Sequence, residues 1–336
     1  MLYISQRLFA MLLTALAATM VIFLISTQVP GDPVLAQLGD LAASDPLIVK
    51  AFRARWNLDE PVWTRYWTFL ERLAHGDLGM SISTFRPVMD DIRQYAPATL
   101  ELATAAFLLS LLFGIPLGIA AGVWRDSWID HVARLLSLLG VSAPTFWLAF
   151  IALSAFYGGL QIAPGPGRLD VSSIPPFSVT GMYTIDAALV GDWEVFRDAL
   201  AHLALPSMVL AAATMGLITR TTRSSMLDSL NQDYIRVARS KGLSETRIVL
   251  RHALPNALLP IVTLAGIAYA ILLTGAVMTE TIFSWPGLGR YTFRSAVTLD
   301  VPAIMGITLI VAVVYLVINF LTDLSYIVLD PRSTRR

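Results

Sequence analysis

The chain has 336 residues, of which 56% are hydrophobic and only 14% charged, and its 24 basic and 24 acidic side chains give a formal net charge of zero. So little polar material cannot clothe a water-soluble globule of this size, and the balanced charge gives no reason to expect nucleic acid or an acidic macromolecule as partner. Cysteine is absent, which excludes disulfides, thiolate metal sites and cysteine nucleophiles. A lipid-facing surface is the simplest account of what remains.

Crossing roughly 30 Å of hydrocarbon takes about 20 apolar residues, and a helix is the single segment that satisfies its own backbone in lipid. Six stretches qualify, residues 8–26, 102–123, 135–157, 203–219, 258–279 and 301–322, and none holds an Asp, Glu, Lys or Arg. The fourth is the shortest. Ten Leu, Ile, Val or Phe residues in the first favour insertion by about 0.3 to 0.6 kcal/mol each, where one central charge would cost about 2.5 to 3.5. That first run exceeds a signal-peptide core and ends in Ser-Thr-Gln-Val-Pro without a small-x-small cleavage site, so it reads as a retained anchor. With the N-terminus in the cytosol, the inner segments hold thirteen basic residues and the short outer loops four (Arg168, Arg197, Arg290 and Arg294). The positive-inside rule then predicts both termini in the cytosol.

The outer segment 30–97 has a helix start at Asp59-Glu60-Pro61, a helical spacing of Trp63, Tyr66, Trp67, Leu70 and Leu73, and a stop at Gly76. Its aromatics read as packing against the membrane interface or their own core rather than as a ligand cage. In the next outer loop, Pro164-Gly-Pro-Gly167 and Pro175-Pro176 break regular structure.

The cytosolic segment 220–257 is the most informative. Met226, Leu230, Tyr234 and Val237 fall on one helical stripe, with Arg223, Asp228, Asp233, Arg236 and Arg239 on other faces. This predicts one helix reaching out of the membrane. Arg239 and Lys241 suit its last turn and Gly242 its left-handed stop. Ser244 can cap a second helix, with Glu245 in its first turn. A two-residue turn would suffice to return the chain to the membrane, so 38 residues with ordered caps predict a docking element. Tethering between two spans argues against a DNA-reading helix-turn-helix.

The stretch Asp233-Tyr-Ile-Arg-Val-Ala-Arg-Ser-Lys-Gly242-Leu-Ser-Glu-Thr-Arg-Ile-Val-Leu-Arg-His-Ala-Leu-Pro255 resembles the EAA loop of binding-protein-dependent ABC permeases, in the form of the dipeptide, oligopeptide and nickel group. Aligned on Gly242, the three-residue signature falls on Arg236-Val237-Ala238, with Arg236 replacing the family glutamate and His252 its isoleucine. Gly76-Asp-Leu-Gly79, Pro97-Ala-Thr-Leu-Glu101, Gly114-Ile-Pro-Leu-Gly118, Ser142-Ala-Pro-Thr-Phe146, Glu280-Thr-Ile-Phe-Ser-Trp-Pro-Gly-Leu-Gly289 and Asp330-Pro-Arg332 are similar to the same group.

The resemblance implies an all-α membrane protein of six spans with the transmembrane domain of a type I, MetI-like importer. Residues 1–29 would be the anchor, 30–97 an external helical appendage, 98–329 the transporter body and 330–336 a cytosolic tail. It implies transport of di- or oligopeptides or a related solute across the inner membrane. The implied partners are a second homologous permease, two cytosolic ATPases and an external solute-binding protein. ATP and Mg2+ would sit on the ATPases, because this chain has no Gly-x-x-x-x-Gly-Lys-Ser/Thr loop. Tyr234, Arg236, Val237, Ala238, Arg239, Lys241, Gly242, Leu243 and Pro255 would couple to an ATPase, and Glu101, Pro144 and Glu280 are candidates for the translocation path.

From the residues alone, Glu101 reads as sitting at a helix N-terminus and Glu280 near the outer surface, both as structural groups. His202 reads as an interface residue, since four scattered histidines offer no metal-ligand spacing. Prolines 116, 144, 206, 255 and 260 loosen or kink helices. No mid-span ionisable relay supports an ion-driven secondary transporter, and no paired nucleophile and base supports an intramembrane enzyme.

Overall fold

The computed structural model describes residues 2–28, 34–35, 39 and 43–329, with the side chains of 9–25 and up to 322 placed at the two ends. The expected tail 330–336, and with it Asp330-Pro-Arg332, lies outside the described residues. In chain order the first helices are α1 Leu2–Gln28, α2 Pro46–Arg55, α3 Val62–Ala74, α4 Val88–Val123, α5 Trp128–Ser142, α6 Thr145–Ala152 and α7 Tyr183–Val190. Then come α8 Trp193–Leu230, α9 Asp233–Ser240, α10 Glu245–Ile248, α11 Leu254–Gly275, α12 Val277–Ile282, α13 Leu288–Val297 and α14 Val301–Leu329. Among the described residues the only extended pairing is an isolated bridge between Met80 and Pro87.

Each predicted apolar stretch lies on helix, but the count of six equivalent spans needs correcting. Among the described residues, four continuous helices are long and apolar enough to cross a membrane: Val88–Val123, Trp193–Leu230, Glu245–Ile282 and Val301–Thr322. The described apolar part of α1, Phe9–Ile25, is shorter, and the stretch 135–157 is not one straight helix. It is α5 and α6 bent by 105°. Pro144 is the cause, because it has no N–H for the helix ladder and pushes the preceding residue out of the helical region. Ala143 is accordingly extended (φ −79°, ψ 129°). The other named prolines leave no such break: Pro206 and Pro260 lie inside α8 and α11. Before Pro255 the ladder loosens into a π-helical turn over Val249–Ala253, where the missing proline N–H removes the regular closing bond.

The chain forms two compact units, residues 1–97 with 286–316, and 98–285 with 317–336. In the first, α3 starts after Pro61 and ends at His75, with Gly76 left-handed (φ +74°), as its sequence predicts. The buried Asp300 carboxylate organises this unit. It accepts from the Ser81 and Ser83 hydroxyls at 2.6 and 2.7 Å and from the Ala303 N–H at 3.2 Å, so it also caps α14. The Tyr291 hydroxyl donates to Asp91 at 2.9 Å, and Leu78, Val88, Ile92 and Ile307 close an apolar core.

In the second unit α8 is the central helix. Its apolar window is 61% buried, against 28–33% for the other three continuous spans, so the latter turn most of their apolar surface outward, as lipid-facing helices do. Leu135, Leu138, Leu139 and Phe150 on α5 and α6 are exposed in the same sense. The approach of α5 to α8 is set by two glycines. A Cβ on Gly216 would stand 2.7 Å from the Ser137 carbonyl oxygen, and one on Gly140 would strike the Ala212 carbonyl. Such small-residue contacts are how helices approach closely in lipid. Gly216→Ala is expected to destabilise the chain by about 1–3 kcal/mol through overpacking against immovable backbone, read as a lowered midpoint of thermal unfolding in detergent; an unchanged midpoint would show that the helices separate freely.

Candidate functional site

The loop expected to dock a partner is present, with one correction. The stripe Met226, Leu230, Tyr234, Val237 does not belong to one helix. Helix α8 ends at Leu230, Gln232 is extended (ψ 154°), and α9 begins at Asp233. The break resets the helical phase, so the buried face of α9 is Ile235 and Ala238 while Val237 is 52% exposed. Ile235 and Ala238 pack into a core with Met226, Ile248, Val249, Ala253 and Ile261. The face turned away from that core carries Arg236, Val237, Ser240 and Lys241.

Two polar devices fix α9. The Tyr234 hydroxyl lies 2.7 Å from Ser229 Oγ and accepts from Asn256 Nδ2 at 3.0 Å, while Ser229 Oγ donates to the Ala253 carbonyl at 2.9 Å. One tyrosine thus ties the end of α8 to the start of α11. At the other end Gly242 is left-handed (φ +74°) with its N–H on the Arg239 carbonyl at 2.9 Å. Arg239 then grips Glu245 across the turn with two bonds, at 2.8 and 3.2 Å, and this pairing raises the guanidinium above its ordinary pKa. Both groups are well exposed, so the pair orients the turn more than it stabilises it. Ser244 occupies the cap position of α10, but its hydroxyl makes no capping bond.

Of the residues expected to couple, Arg236, Val237 and Lys241 are exposed. Arg236 pairs with Asp233 at 2.7 Å. Ala238 and Leu243 instead belong to the anchoring core, and Pro255 sits in the first turn of α11. Ile235, Ser229 and Asn256 are the residues that sequence reading passes over. So is a carboxylate–guanidinium pair linking α5 to α8: buried Asp130 receives Arg223 Nε at 2.6 Å and its terminal nitrogen at 2.8 Å.

Of the second group of expected site residues, Glu101 and Glu280 are buried, whereas Pro144 is exposed. Glu101 is not at a helix N-terminus, because α4 begins thirteen residues earlier, at Val88. It is buried and accepts from Arg168 at 2.6 Å and from the Thr184 N–H and hydroxyl at 2.8 and 2.7 Å. The Arg168 guanidinium lies 3.5 Å from the centre of the Tyr183 ring and 5.6 Å from that of Trp285. Trp285 in turn donates its indole N–H to the Ala98 carbonyl at 2.8 Å. Glu280 is likewise fully buried, two residues before the end of its span at Ile282, and accepts from Thr99 at 2.6 Å. Pro144 lies at the α5–α6 bend, and His202 is buried with Nδ1 2.9 Å from Asp198. Among the described residues no group of three or more His, Asp or Glu is placed to hold a metal ion.

An all-helical body with a structured, outward-facing helix strung between two of its spans defines a multi-pass membrane protein. The chain belongs to the family described as binding-protein-dependent transport system inner membrane component, whose model matches residues 114–335, and the N-terminal membrane-component model of the same systems matches residues 1–103. It is 46% identical over 332 residues to the "Probable D,D-dipeptide transport system permease protein DdpB" of Escherichia coli K12, covering 99% of this chain and 97% of that one. It is 39% identical over 332 residues to the dipeptide transport system permease protein DppB of the same organism, covering 98% of each. With the corresponding protein of Alkalihalophilus pseudofirmus it shares 38% over 330 residues, again 98% of each. Among solved structures, a chain from inward-facing conformations of the MetNI methionine ABC transporter superposes with a TM-score of 0.51 at 17% identity, over 72% of this chain and 97% of that one. That likeness supports the type I importer fold.

The chain is therefore an ABC importer permease subunit, a multi-pass inner membrane protein that works with ATPase and solute-binding partners. ATP hydrolysis belongs to separate subunits, and nothing in the family favours an ion-driven carrier.

Proposed function

We propose that this chain lines the path for dipeptides or short oligopeptides and that α9 is its coupling helix, seated in a groove of one of two ATPase subunits that carry the ATP and Mg2+. A second, homologous permease completes the path and an external binding protein delivers the solute. Both termini face the cytosol, residues 30–97 form an external appendage, and 98–329 form the transporting body with 330–336 as its tail. The dipeptide permeases to which the chain is similar support the substrate class. The observation that carries the coupling role is the division of α9 into an anchored face, Ile235 and Ala238, and an outward face, Arg236 and Val237, with Arg236 74% exposed. A rigid amphipathic helix presented in this way transmits a partner's motion to α8 and α11.

Gly242→Val tests this reading. No atom stands within 4 Å of a Cβ built there, so the substitution brings no clash, only left-handed strain of about 1–2 kcal/mol. That penalty disfavours the docked geometry roughly 5–30-fold. The variant is expected to reach the membrane at normal levels yet lose dipeptide uptake and retain less ATPase subunit on affinity purification. Unchanged uptake at equal expression would remove α9 from the coupling mechanism.

A further inference from the structure

The unit formed by residues 1–97 and 286–316 contains a cavity of about 610 Å³ that neither coupling nor the buried Glu101 cluster uses. One stripe of α3 faces it: Arg65, Thr68, Phe69 and Arg72, three and four residues apart and so on one side of the helix. Four arginines line the cavity against two carboxylates, Glu60 and Asp77, above an apolar floor that includes Phe23, Leu78 and Met305. Arg53 is paired with Asp59 at 3.1 Å. Arg55 and Arg65 instead stand against aromatic rings, Arg55 at 5.6 Å from Trp56 and Arg65 at 6.0 Å from Phe23. Burial draws the Arg65 guanidinium below its ordinary pKa, against the pull of Glu60. The Trp56 indole N–H, also on the cavity lining, is buried and has no hydrogen-bond acceptor among the described residues.

The depth of the cavity follows from α1. Tyr66 of α3 packs against Phe23 with ring centres 5.1 Å apart and planes tilted by 45°, and its hydroxyl lies 3.2 Å from Thr19 Oγ1. Thr19 precedes the end of α1 at Gln28 by nine residues, about 13 Å along a helix. The Arg65 guanidinium, however, stands 6.0 Å from the Phe23 ring, only three residues before the apolar run ends at Ser26, about 4.5 Å along a helix, so the cationic side of the cavity lies along the outer turns of α1 where hydrocarbon gives way to headgroups, and α3 turns Trp63 and Trp67 outward, 65% and 70% exposed. Exposed tryptophans at that level are the usual interfacial anchors.

We propose that this cavity binds an anionic phospholipid, with the headgroup phosphate on Arg65 and Arg72 and the upper acyl chain along Phe23, Phe69 and Met305. Excess cationic donors beside an apolar floor at headgroup depth match a ligand that carries its charge next to hydrocarbon. A cavity of this size lies within the range of small-ligand sites and accommodates a headgroup with the start of its chains.

The test is native mass spectrometry of the full chain, released from nanodiscs holding equal phosphatidylglycerol and phosphatidylcholine of matched chains. One phosphatidylglycerol per chain is expected to survive stripping, in clear preference to phosphatidylcholine. Each arginine is worth about five-fold in affinity at such a surface, so Arg65→Gln with Arg72→Gln is expected to lower retention by roughly 25-fold, while the double lysine variant keeps most of it. Neither soluble glycerol phosphate nor a dipeptide should displace the lipid. Equal retention of the two lipids by the unaltered chain overturns the proposal without any variant. Undiminished retention by the double glutamine variant overturns it as well. Displacement by glycerol phosphate or by dipeptide would make this a soluble-anion or peptide site instead.

Discussion

Arg168→Ala is expected to lower stability by about 3–5 kcal/mol, the cost of leaving a carboxylate buried without its partner. Only 7% of the Arg168 side chain and 4% of the Glu101 side chain are exposed, so solvent screens neither. Glu101 would keep the Thr184 N–H and hydroxyl but lose the one full positive charge within hydrogen-bond reach at 2.6 Å. The loop at Gly181, held to the same guanidinium at 2.9 Å, would be released too, together with the stacking on Tyr183. The readout is thermal unfolding of the purified chain, where a loss on the order of 10 °C is expected. Glu101→Gln should cost less, because a neutral amide still accepts from Thr184 and the arginine retains two aromatic faces and a carbonyl. Glu101→Leu combined with Arg168→Met should recover part of the loss, since replacing both members of a buried pair removes the uncompensated charge. If Arg168→Ala melts with the unaltered chain, the pair is not closed in the membrane-embedded protein and Glu101 is available to the translocation path.

How far the sequence foretells these arrangements depends on the range of the physics involved. The spans are visible because insertion into lipid is a sum over local residues. The Gly242 turn is visible because left-handed backbone selects glycine on the spot. The short α9 is half visible: its charges and its stop are local, but its buried face depends on the phase reset at Asn231 and Gln232, which hydrophobic spacing alone carries straight through. That is why Tyr234 and Val237 read as continuing the apolar stripe of Met226 and Leu230, and Ile235 does not. Pairings such as Glu101 with Arg168, 67 residues apart, and Asp130 with Arg223, 93 apart, leave no local trace. Both carboxylates flank apolar stretches, and nothing there specifies which distant cation arrives. The α5–α6 bend lies between these cases, since Pro144 marks the place but a proline within a helix is often accommodated, as Pro206 shows in α8.

The phase of α9 yields the sharpest functional contrast. Ile235→Ala is expected to cost about 2–5 kcal/mol by leaving a cavity in the core shared with Met226, Ile248 and Ile261. Insertion rests on the apolar length of each span, so the chain should still insert normally while α9 loosens from α8 and α11. Val237→Asp adds a charge to a half-exposed position and should leave the stability within about 0.5 kcal/mol of the unaltered chain. Its effect is expected at the partner, where a carboxylate in place of an apolar side chain opposes docking. Hydrogen exchange over residues 233–240 separates the two: faster exchange in Ile235→Ala, unchanged exchange in Val237→Asp. ATPase retention and dipeptide uptake should fall in both. If Val237→Asp transports normally while Ile235→Ala does not, the partner contacts the turn at Lys241 and Gly242 rather than the outward face of α9. If the exchange pattern is reversed, with Val237→Asp loosening the helix, the helical phase of the isolated chain is not the one that operates in the assembled importer.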